Sequence, residues 1–145
     1  MNTRLLSFLA LGFSALVIVQ ALLGTLLFYH TIGFSLDAIN NYYAPKSMHG
    51  LLEVLLPHTL FISIALMAIT HFLSFIQTIS EETKRAATHT LFFLFFLDQS
   101  SVLLISSGFG AFAIVKLFAS AMFQISLSLV WIVMFKHTLK ALEKK

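Results

Sequence analysis

The 145-residue sequence contains no cysteine. That absence excludes disulfides, thiolate metal centres, iron–sulfur ligation, covalent thioether haem and a lipidated N-terminal cysteine. Histidine, carboxylate, amide and hydroxyl groups remain for chemistry. Charge is scarce as well: Asp, Glu, Lys and Arg make up 10% of the chain against 59% hydrophobic residues, and the mean hydropathy is +0.94. A soluble domain needs charged surface to stay dispersed, whereas a chain solvated by lipid needs charge only in its loops and ends. The composition therefore predicts an integral membrane protein. A net charge of +3 raises the question of nucleic acid. The basic residues lie beside apolar segments and form no patch with interleaved aromatics, which excludes that partner. No hydrolytic triad, P-loop or dinucleotide fingerprint occurs.

A helix needs roughly 20 apolar residues to cross a bilayer, and residues 5–29, 51–76, 89–107 and 111–135 each provide such a run. The first is far longer than the ~7–15-residue core of a signal peptide and no small-x-small cleavage site follows it, so it is expected to stay as the first helix. Residues 30–50 hold Gly33, Asp37, Asn40, Asn41 and Pro45, which form turns, and Leu36, Ile39, Tyr42 and Tyr43, which suit a short interfacial stretch. A polar connection is expected at residues 77–88 and a tight turn at Ser106-Ser107-Gly108-Phe109-Gly110. Arg4, Lys84, Arg85, Lys136, Lys140, Lys144 and Lys145 fall on one side of such a chain, and only Lys46 and Lys116 on the other. Basic residues are retained in the cytoplasm. The expectation is a single all-α domain over residues 1–145, an integral membrane four-helix up-and-down bundle in the cell inner (cytoplasmic) membrane with both termini cytoplasmic.

Ionisable groups inside a span cost roughly 2.5–3.5 kcal/mol each on insertion scales, so function is sought there. In the second span Glu53 and His71 are eighteen residues apart, five turns, and share a face through Leu60, Ile64 and Met67. His58 is about 220° around the helix from His71, and Pro57 beside it can change that angle. The third span carries His89 near its cytoplasmic end and Asp98-Gln99-Ser100-Ser101 near its middle. The fourth carries Lys116, Ser120, Gln124 and Ser128 at four-residue intervals, a stripe expected to point inward. Ser7, Ser14, Gln20 and Gly24 are its counterparts in the first span. Two readings of Asp98 stay open. It pairs with Lys116 or caps a network with Gln99 and Gln124, or it orients a ligating histidine or carries protons or ions. Lys46, His49 and Glu53 share a face that reads first as the entry to the second span, with Lys46 at the interface, and second, through His49 and Glu53 at i and i+4, as two ligands of a metal site.

Six histidines in so apolar a chain point to ligation. The pair His58 and His71, thirteen residues apart, with His89 on the next span, resembles the small four-helix membrane cytochromes b. That resemblance implies haem b on His71 and His89 at the cytoplasmic side, with His58 and His30 as candidate ligands for an outer haem, and electron transfer between a quinone or redox partner and another protein. Asp98 and Glu53 would then handle protons or orient the ligands. The chain departs from the pattern in having no second histidine beyond His89 in the third span. Two other functions follow from the residues alone: a small proton or ion transporter using Glu53, His58, Asp98 and Lys116, and an accessory subunit docked in a larger membrane complex or homo-oligomer.

Overall fold

The computed structural model describes residues 3–143, with the side chains of residues 8–13 and 15–140. Lys144, Lys145 and the side chains of Arg4, Ser7 and Ser14 thus lie outside the described residues. Among the described residues five helices follow one another: α1 (Thr3–Thr31), α2 (Leu36–Tyr43), α3 (Met48–Ser74), α4 (Glu81–Ser106) and α5 (Phe112–Glu143). Four of them, all but α2, are long and apolar enough to cross a membrane. The described residues contain no strand. The chain is a four-helix membrane bundle with a short fifth helix at one end.

Local chemistry explains where the helices begin. Ser35, Ser47 and Ser80 each accept a hydrogen bond from a backbone N–H in the first turn of α2, α3 and α4, satisfying a donor that the helix itself leaves free. The polar stretch 77–88 is not all connection: residues 81–88 already belong to α4, because Ser80 caps that helix and Glu81 and Glu82 sit in its first turn, where the helix dipole favours negative charge. Only residues 75–80 separate α3 from α4. Lys84 is buried there and donates to the Ser74 carbonyl at the end of α3 (3.0 Å) and to Glu81 (2.7 Å). α3 continues through Pro57 without interruption, although that residue has no N–H to offer the Glu53 carbonyl.

α4 and α5 are joined by the predicted tight turn. Phe109 N–H bonds the Leu104 carbonyl and Gly108 N–H bonds the Ile105 carbonyl, each at 3.0 Å, and Gly108 has φ +97°. These are the two bonds of a Schellman motif, which places its glycine in the left-handed region. Among the described residues, two apolar clusters fill the interior. The larger, at the end where α3 turns into α4, contains Leu66, Ile69, Leu73, Leu91, Phe95, Leu127, Val130 and Met134, with Phe13, Val17 and Ala21 of α1 against it. The smaller joins Ile39 of α2 to Ile105 and Ala113, under Phe28, Ile32 and Tyr43. Between the two clusters the interior is polar.

Candidate functional site

The polar layer is centred on Asp98. On α4 it lies between Phe95 of one cluster and Ile105 of the other, about 12 Å from the helix end at Ser106. Lys116 of α5 donates to both carboxylate oxygens, at 2.6 and 2.7 Å. Ser120, one turn along α5, donates to Oδ1, and the Gln99 amide donates to Oδ2 at 3.0 Å. The Thr59 hydroxyl of α3 donates to Gln99 Oε1 at 3.4 Å. Lys116 Nζ stands 5.9 Å from the ring centre of Phe28 on α1. Tyr43 of α2 is near enough for the Asp98 charge to act on its hydroxyl: burial first, and then that charge, hold the phenol well above its ordinary range. Every helix thus contributes to one cluster. Its two ions are largely shielded, with side-chain exposures of 8% for Lys116 and 13% for Asp98.

A lysine one turn into a spanning helix ordinarily reaches back to the interface. Lys116 turns inward instead, because a carboxylate in so apolar an interior attracts it far more strongly than one facing water. Of the partners expected for Asp98, it bonds Lys116 and Gln99. Gln124, the other suggested partner, bonds neither; its carbonyl accepts from Ser128 at 2.8 Å. The stripe on α5 does not stay inward over its whole length. Four residues advance the helix by 400°, so each step rotates the row by about 40°. Lys116 is buried, Ser120 and Gln124 are half-buried and Ser128 is exposed.

The remaining candidates are on the outside. His30, His58, His71 and His89 are all exposed on the bundle surface. His71 packs its ring on Phe75 (4.9 Å between centroids) and His30 on Tyr29 (5.3 Å); no hydrogen bond or ring contact joins any two of the four. His71 lies three residues before the end of α3 and His89 eight residues after the start of α4, and these helices meet through Leu66, Ile69, Leu73, Leu91 and Phe95 instead, with both imidazoles exposed. Glu53 is likewise exposed and pairs with His49 at 3.2 Å, so it shares no site with Asp98. Lys46, at the same helix entry, lies over the Tyr42 ring. The face of Glu53, Leu60, Ile64, Met67 and His71 is the outward face of α3. Among the described residues, no group of three or more His, Asp and Glu is placed to hold a metal ion.

Sequence reasoning missed Lys84, which it used only as an orientation signal, and Thr59 and Tyr43, which carry no charge. The clue to Lys84 is its place ten residues after Ser74, across a short turn, where it meets the free carbonyls ending α3.

Residues 37–145 match a family model described as a transmembrane helical domain. No curated protein and no solved structure matches the chain.

Proposed function

The chain belongs to this transmembrane helical domain family, Aq_1264_TM, and from that premise we propose that it serves as an accessory subunit of a larger membrane assembly. The observation that carries this reading is the division of labour between its inside and outside. The buried polar groups are spent on one another, in the ion pair of Asp98 and Lys116 and the side chains bonded to it. The outer faces are open: among the described side chains none of α1 is fully buried, and few of α3 are. Lipid is as apolar as leucine, so these faces gain no hydrophobic energy by leaving it; packing and polar contacts with another membrane helix are what would hold them.

The same geometry weighs against the two other functions. Haem b ligated by His71 and His89, or by His58 and His30, does not fit inside this bundle, because all four imidazoles point out of it. A proton or ion route through Glu53, His58 and Asp98 would have to join a carboxylate on the outer surface to one closed off by Lys116 and Ser120. The distribution of Lys and Arg supports placing both termini in the cytoplasm, with the inner membrane as the host.

The test is the mass of the particle extracted in mild detergent. A species well above the 16.2 kDa of one chain is expected. A particle of one chain alone, after gentle extraction from its native membrane, would overturn the reading. An absorption band of haem in the purified chain would favour the cytochrome reading instead.

A further inference from the structure

α2 follows α1 and precedes α3 in the chain, yet it packs on the other two helices, α4 and α5. Ile39, 0% exposed, is its anchor and sits against Ile105 of α4 and Ala113 of α5. Ala113 lies three residues before Lys116, on the same buried face of α5. The Ser106 hydroxyl at the end of α4 donates to the Lys46 carbonyl just beyond α2 (2.8 Å), and Tyr43 comes within reach of the Asp98 charge. α2 therefore stands between the ion pair and the water at this end of the bundle. Connections of four residues, 32–35 and 44–47, tie it to α1 and α3.

Two groups work against this seating. Asn40 of α2 faces Gly110 in the α4–α5 turn so closely that a Cβ on that glycine would lie 3.3 Å from Asn40 Oδ1. The same oxygen is buried and has no hydrogen-bond partner among the described residues, a loss that water makes good once the helix lifts. Lys116 pulls the same way. It is the fifth residue of α5, roughly 6–8 Å from the helix end, a distance that a lysine stem spans to bring its ammonium to water. Lifting α2 thus hydrates an unpaired acceptor and a buried cation, and what it gives up in exchange is chiefly the burial of Ile39.

We propose that α2 is a removable plug over the Asp98–Lys116 pair. Seated on α4 and α5, it keeps water from the polar layer and Lys116 on Asp98. Lifted, it lets Lys116 turn back to the aqueous edge and opens Asp98 to water. The two states differ in where one lysine points, so the plug governs whether the charges inside the bundle are paired or hydrated. This device goes beyond the accessory-subunit reading and does not rest on it: particle mass tests the one, and lysine reactivity the other.

The experiment is acetylation of the chain in phosphatidylcholine nanodiscs by a water-soluble sulfosuccinimidyl ester, read lysine by lysine by mass spectrometry. Two lysines calibrate it. Lys46 is exposed and marks full reaction, whereas Lys84 is buried at the opposite end of the bundle and reports any general loss of fold. In the unaltered chain Lys116 should react far more slowly than Lys46. Ile39→Ser removes the anchor, and Gly110→Leu puts a side chain where Asn40 now lies. Each should speed the reaction of Lys116 about tenfold or more, because modification follows the lifted population and burial of one aliphatic side chain is worth that ratio. Lys84 should stay protected in both. Lys116 as reactive as Lys46 in the unaltered chain, Lys116 no faster in either variant, or Lys84 reacting in step with Lys116 would each overturn the plug.

Discussion

Asp98 and Lys116 are two charges that an apolar interior tolerates only as a pair. Removing one leaves the other buried without a counterion, and in proteins generally that costs about 3–5 kcal/mol. Replacing both with apolar residues of similar size removes the desolvation penalty along with the attraction and is often neutral. Asp98→Ala is therefore expected to lower the melting temperature in detergent sharply, and Asp98→Leu combined with Lys116→Met to recover most of the loss. A double variant as unstable as the single one would show that the pair does more than neutralise itself. The charges were plain in the sequence, and so was their possible pairing. The roles of Ser120 and Thr59 were not, because a hydroxyl in a spanning helix has many acceptors and only the packing selects one.

At the level of elements, the turn between α4 and α5 depends on one residue. Gly108 adopts φ +97°, a conformation that costs a residue with a Cβ roughly 1–2 kcal/mol, and a Cβ there meets no other atom within 4 Å. The cost of Gly108→Ala is thus purely one of backbone conformation. A thermal melt should show a loss of about 1 kcal/mol, and no loss at all would mean that the turn can close in another way. Helix ends were the least legible part of the chain. The hydropathy of residues 81–88 resembles a loop, yet capping by Ser80 and the bonds of Lys84 carry the helix through them. Burial of the lysine stem and satisfaction of the α3 carbonyls are tertiary effects that a hydropathy window does not register.

For the molecule as a whole, the absence of cysteine makes topology directly measurable. Single cysteines at Ser47, before α3, and at Ser80, before α4, occupy opposite ends of the bundle and are exposed. A membrane-impermeant maleimide added to intact cells is expected to label Ser47→Cys and spare Ser80→Cys; the reverse pattern would invert the orientation inferred from Lys and Arg. The sequence by itself determined the solvent and the number of spans, because both follow from the length of apolar runs and need no knowledge of neighbours. It also marked every ionisable residue within those runs. Which of them face one another was decided only by the tertiary structure. Rotation of each helix about its axis is set by packing, and a rotation of half a turn separates a buried ion pair from a histidine in the membrane. That rotation brought Asp98, Lys116 and Ser120 together and left His58, His71 and His89 exposed on the outside.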